Sequence, residues 1–274
     1  MTERHGGCRL IVYLAAAAVA LPLAVLAVWG FAERWAWPDL LPQLFSLRGV
    51  REVLRGDALR VLYSSILLSA SAAVISTAVG ILTARAVVFC RFPGRGLLLM
   101  SSMLPLIVPA AVFGMGVHLL LLRAGLSDTA GGVLLTHVIC CLPYTVSLMT
   151  NATRAVGRRL EEQARVLGAG ALRAFLSITM PAITPAALSA AAMAYIVSFS
   201  QYFLTLLIGG GSVKTFTVIM VPYLQNGDRT LAAGYSLLFM LVTILAFILF
   251  RRALRAVYPC AESALGPKER GRQR

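Results

Sequence analysis

The stretch Arg158-Arg159-Leu160-Glu161-Glu162-Gln163-Ala164-Arg165-Val166-Leu167-Gly168-Ala169-Gly170, continuing Ala171-Leu172-Arg173-Ala174-Phe175-Leu176-Ser177-Ile178-Thr179-Met180-Pro181, lies between two long apolar runs. Its pattern is helical on both sides of a glycine pair. Leu160, Ala164 and Leu167 form an i, i+4, i+7 stripe, and Glu161 is spaced to pair with Arg165. Gly168 and Gly170 permit positive φ at a bend. Leu172, Phe175 and Leu176 make a second apolar face. Pro181 has no N–H to donate, which predicts a break before the next apolar run. The reading is two short, half-apolar helices around a bend. Such a surface suits insertion into a partner's groove or packing against the chain's own neighbouring segments.

Outward from this loop the chain is apolar. Of its 274 residues, 59% are apolar and 13% charged, and the mean hydropathy is +0.82. Soluble domains carry about 45–50% apolar and about 25% charged residues. A soluble enzyme, a disordered chain, a collagen and a disulfide scaffold are all excluded. A span needs about 20 apolar residues. Six are predicted, at 10–31, 61–83, 97–122, 132–150, 183–208 and 232–250. The fourth is interrupted by Pro143, and the fifth is entered through Pro181 and Pro185. The first reads as an uncleaved span rather than a signal peptide, being long for one and without a clean cleavage site. Residues 48–55 place Val50, Val53 and Leu54 on one helical face and Arg48, Arg51, Glu52 and Arg55 largely on the other. That pattern fits a helix on the outer membrane surface or an ordinary loop helix.

The net charge of +14 sorts along the chain. With both termini and every second loop inside, 17 basic residues fall inside and 8 outside. Cytoplasmic loops carry the excess of Lys and Arg, so both termini and the 158–181 stretch are expected in the cytoplasm. The charge thus points to membrane topology, not to nucleic acid. The expected organisation is a cytoplasmic N-terminus at 1–9, a transmembrane domain at 10–250 with the loop at 151–182, and a basic cytoplasmic tail at 251–274.

None of the eleven acidic residues falls within a predicted span. Intramembrane Asp or Glu usually marks proton relays and cation-coupled carriers, so this absence argues against a proton-driven transporter, and a stand-alone secondary carrier or channel stands as the alternative reading. His118 and His137 are read as packed or near a polar cavity. The stretch Gly209-Gly210-Gly211-Ser212-Val213-Lys214-Thr215 falls short of a phosphate-binding loop, because Val213 stands where glycine is needed. No Ser/His/Asp or Cys/His catalytic set is legible. The five cysteines and three histidines lack metal-ligand spacing. No metal, resident cofactor or catalytic residue is therefore expected.

Polar residues cluster in the fifth span, at Tyr195, Ser198, Ser200, Gln201, Tyr202 and Thr205. The third span offers Ser101 and Ser102 with Pro105 and Pro109. Such residues are costly against lipid and face a cavity or another helix. Ser101, Ser102, Tyr195, Ser198, Gln201 and Tyr202 are candidates to line a pathway, with helix packing as the competing reading.

The spacing Glu162-x-Ala164-x3-Gly168-x9-Ile178-x-Met180-Pro181 resembles the EAA loop of ABC-importer permeases of the binding-protein-dependent type. Gln163 replaces the family's second alanine and Met180 its leucine. The resemblance implies the type I importer permease fold, an all-α membrane protein of six transmembrane helices. It implies that the loop docks in a cleft of a cytoplasmic ATPase subunit, which itself binds the ATP. Glu162 would then face a basic residue there, Gly168 would set the helix angle, and Ala164 and Leu167 would supply apolar contact, with Ile178 and Pro181 completing the motif. A second permease subunit, identical or homologous, and a periplasmic solute-binding protein are the other implied partners. The run Ser198 to Thr205, the glycines 209–211 and Gly227-Asp228-Arg229 look like the polyamine, thiamine, iron and sulfate branch, leaning to thiamine-type members.

Overall fold

The computed structural model describes residues 3–35, 39 and 41–257. The last part of the expected tail, 258–274, lies outside the described residues. The chain divides into two compact units. One comprises Met1–Tyr63 with Thr215–Val242, and the other Ser64–Lys214 with Thr243–Arg274.

In the first unit, α1 (Glu3–Phe31) leads into a small antiparallel pair, β1 (Ala32–Arg34) with β2 (Leu44–Phe45), then α2 (Arg48–Val53). The helix read at 48–55 is present, but it turns Gly49 and Val53 inward while Leu54 is exposed. The opening turns of α3 (Gly56–Phe89) belong here, as do α11 (Phe216–Gln225) and the first half of α12 (Arg229–Val257). The turn before α12 is tied by an Arg48–Asp228 ion pair at 2.8 Å and by the Thr230 hydroxyl, which donates to the Ala32 carbonyl. The sequence reading placed no helix at 216–225, which is too short to cross a bilayer.

The second unit contains the rest of α3, then α4 (Arg95–Ile107), α5 (Ala110–Arg123), α6 (Ala130–Val156) and α7 (Arg159–Val166). It continues with α8 (Ala171–Ala174), a π-helical turn (Phe175–Thr179), α9 (Met180–Phe199) and α10 (Phe203–Gly209). The axis is α6, capped by the Thr129 hydroxyl, which accepts from the Gly132 N–H, with 13 of its 27 residues buried. Ala84 of α3, Met149 of α6 and Ile183 and Ala190 of α9 form one core cluster. Leu121 of α5, Val133 of α6 and Ile208 of α10 form another. Small residues let the helices close: a Cβ on Gly80 would lie 3.0 Å from the Thr145 backbone. Outward faces carry exposed apolar side chains such as Leu82, Leu97, Met115 and Leu249, the arrangement expected when the solvent is hydrocarbon.

Five described helices are long and apolar enough to cross a membrane, or six if the bent pair α4–α5 counts as one span. Three expectations need correction. The third span is not one helix: α4 and α5 meet at 115°. Val108 is extended (ψ 134°) because the ring of Pro109 disfavours the α conformation in the residue before it. The fourth span is not interrupted, since α6 runs through a buried Pro143 with helices packed around it. The fifth span stops at Phe199 rather than 208, and α10 follows after a break at Ser200–Tyr202.

Candidate functional site

The loop between α6 and α9 holds the motif. Helix α7 ends at a bend built on Gly168, whose φ is +91°. The Gly168 N–H donates to Arg165 O and the Ala169 N–H to Ala164 O, both at 3.0 Å. This pattern satisfies the last carbonyls of a helix and requires a left-handed residue at that position. Gly170 is extended with φ −63° and needs no glycine, contrary to the sequence reading. Nor does Pro181 break the chain. The π-turn precedes it, with the Met180 N–H donating to Phe175 O, and the helix continues into α9. A π-turn shifts the hydrogen-bond register by one residue, so a proline that lacks an N–H is accommodated without a break.

The two adjacent glutamates point opposite ways. Glu162 is exposed and pairs with Arg158 on its own helix at 3.2 Å. Glu161 is buried. Its Oε1 and Oε2 accept from Nη2 and Nη1 of Arg85, each at 3.0 Å, and Oε2 also accepts from the Thr179 hydroxyl at 3.0 Å. The Glu161–Arg165 pair expected from spacing does not form, because Arg85 offers a planar two-point match in a more buried setting. The Arg85 fork holds the Glu161 carboxyl below its ordinary pKa, with the Thr179 bond acting the same way against the opposing effect of burial. The Arg85 guanidinium also lies 4.2 Å from the centre of the Phe175 ring and 5.6 Å from that of Phe89.

With Glu161 turned in, the outward surface of α7 sets exposed Val166 and Leu167 among Arg159, Glu162, Gln163 and Arg165. Val166 and Leu167 are each 88% exposed, and Leu160, Leu172 and Leu176 are exposed as well. Ala164 and Ile178 are half-buried, whereas Gly168 and Pro181 are exposed. Two shallow depressions flank this surface and share Glu162 and Val166.

The candidate pathway residues are spread over different settings. Ser101 is exposed and Ser102 buried, and their hydroxyls donate to Leu98 O and Leu99 O. Tyr195 is buried and stacked on Phe199. Gln201 and Tyr202 are half-buried in the break after α9. Ser198 is buried and belongs to a polar hub on His137, which is 1% exposed. The Thr205 hydroxyl donates to Gln201 O at 2.7 Å. Its oxygen is thereby left to accept from His137 Nε2 at 2.9 Å, and His137 Nδ1 shares a hydrogen bond with the Ser198 hydroxyl at 2.8 Å. The imidazole thus bridges α6, the end of α9 and α10. No cluster of three metal-ligating side chains occurs among the described residues.

The family described as the binding-protein-dependent transport system inner membrane component matches residues 76–260. The chain belongs to this family. It is an ABC-importer permease, a multi-pass protein of the inner membrane, and its relatives are transport proteins rather than enzymes. It is 28% identical over 251 residues to the putrescine transport system permease protein PotI of Escherichia coli (strain K12), covering 86% of each chain. It is 26% identical to the molybdate/tungstate transport system permease protein WtpB of Pyrococcus abyssi (strain GE5 / Orsay), over 75% of this chain and 81% of that one. The fold matches a chain in the crystal structure of a bacterial ABC transporter involved in import of the acidic polysaccharide alginate. The TM-score is 0.71 at 18% identity, covering 92% of this permease and 97% of that chain.

Proposed function

We propose that this permease forms half of the solute pathway of an ATP-driven importer and docks a cytoplasmic ATPase subunit through α7 and α8. The observation that carries this reading is the polarity of α7. Glu161 anchors one side to the chain, and the other side presents Glu162, Val166 and Leu167 with Gly168 fixing the bend. An apolar helical face ringed by charge is the form that enters a partner's groove. Both termini would lie in the cytoplasm, consistent with the basic-residue asymmetry. ATP would be bound by the partner, and a second permease subunit would complete the pathway. A separate binding protein would deliver the cargo, a small hydrophilic solute of thiamine, polyamine, iron or sulfate type. Closure of the ATPase pair would bias an inward-open to outward-open equilibrium.

Co-purification with the candidate ATPase tests this. Glu162→Ala and Gly168→Pro should each lower retention of the ATPase about tenfold or more, as interface hot spots do. ATP-dependent uptake should fall with it. Wild-type retention and uptake in both variants would refute the docking, and uptake that persists without ATP would favour a stand-alone carrier.

A further inference from the structure

Docking alone moves nothing; a displacement of α7 must reach the membrane helices. Three elements meet at the buried face of α7. Arg85 belongs to α3, a helix of 34 residues. Thr179 and Phe175 belong to the π-turn that runs directly into α9. Glu161 joins both through three charge-assisted hydrogen bonds, all of 3.0 Å. The pair is well shielded, its side chains 26% and 10% exposed, so water and salt screen it less than a surface pair. A bidentate fork resists rotation as well as separation. The aromatic faces of Phe175 and Phe89 hold the guanidinium from the side. Glu162, by contrast, has its ion pair within its own helix and grips no membrane element.

We infer that Arg85, Glu161 and Thr179 are the positioning residues that pass movement of the loop to α3 and α9. The inference rests on the reading of α7 and α8 as the ATPase-docking surface. It separates two tasks between neighbouring glutamates: Glu162 faces the partner, and Glu161 grips the spans. The π-turn sits where the grip meets α9. Its wider hydrogen-bond ring gives the joint a turn whose register differs from the α-helix on either side.

The test uses the complete transporter, permease with ATPase and binding protein, in liposomes. ATPase retention, ATP hydrolysis and solute uptake are measured on the same preparations. Glu161→Gln and Arg85→Gln should keep ATPase retention within about twofold while uptake per ATP hydrolysed falls about fivefold or more, within the range of coupling between sites. Thr179→Val, which removes one bond and keeps the shape, should give a smaller fall. The exchange Arg85→Glu with Glu161→Arg should recover much of the lost ratio, which a merely structural role does not require. Loss of docking and loss of coupling read out separately, as falling retention and as falling uptake per ATP. Unchanged uptake per ATP in the single variants would overturn the inference. So would loss of ATPase retention in Glu161→Gln, which would place that residue at the docking face. If the single variants fail to assemble, an exchanged pair that assembles yet stays uncoupled would overturn it equally.

Discussion

Replacing His137 with leucine removes a hub that three helices share. The imidazole is buried and makes two hydrogen bonds, at 2.8 and 2.9 Å. Its loss is unequal for the two partners. Thr205 still donates to Gln201 O at 2.7 Å and loses only an accepted bond. Ser198 loses its hydrogen-bond partner on the imidazole in a site that is 2% exposed. Side-chain hydrogen bonds between membrane helices contribute about 0.6 kcal/mol on average and about 1.7 at most. Two of them give about 1–3 kcal/mol. At about 2–4 °C per kcal/mol for a chain of this size, the apparent Tm of the detergent-purified permease should drop by several degrees. A double-mutant cycle with Ser198→Ala should return a coupling energy of about 0.6–1.7 kcal/mol. An unchanged Tm, or strict additivity of the two substitutions, would refute the bridging role of His137.

Gly80→Ala should destabilise the permease by about 1–3 kcal/mol, because the new methyl meets the Thr145 backbone at 3.0 Å. Gly96→Ala, which meets nothing within 4 Å, should be neutral or stabilising in the same thermal assay. Glu161 has a depressed folded-state pKa, so its contribution to stability is full above the ordinary carboxylate range and is lost as pH falls through the lowered value. The stability advantage of wild type over Glu161→Gln should therefore shrink on acidification, and a pH-independent difference would contradict this. Arg48→Ala breaks an ion pair whose side chains are 51% and 32% exposed, and should cost no more than about 1 kcal/mol in the same unfolding measurement.

The helical, membrane-length apolar character of the chain and the bend at Gly168 were readable because each has a local cause. Apolar runs of sufficient length have few alternatives to helix, and a helix that must turn sharply calls for glycine. Prolines were harder. Pro143 and Pro181 were expected to interrupt their segments, yet both are carried in continuous helix, while the real bend falls at Val108–Pro109. Whether a proline breaks a helix depends on what its neighbours supply, and that information is not local. The same holds for the glutamates. Spacing offered Arg165 to Glu161, but the preferred partner lies 76 residues away in α3. Two adjacent helical residues differ in direction by about 100°, so Glu161 and Glu162 had to face differently; which one faced inward required the position of Arg85. His137, read as packed or near a polar cavity, is buried, whereas its partner Ser198 was read as a candidate pathway residue and Thr205 as a member of a polar run.

The π-turn also governs where this chain tolerates a change of length. It stores one residue more than an α-helical path would need. Losing Leu176 or Ser177, both exposed, would tighten that turn and leave Ser198 still opposite His137. Losing any one residue between 183 and 197 would swing everything beyond it through about 100° and part the two side chains. Insertions and deletions among related chains should gather at the first place and be shunned at the second.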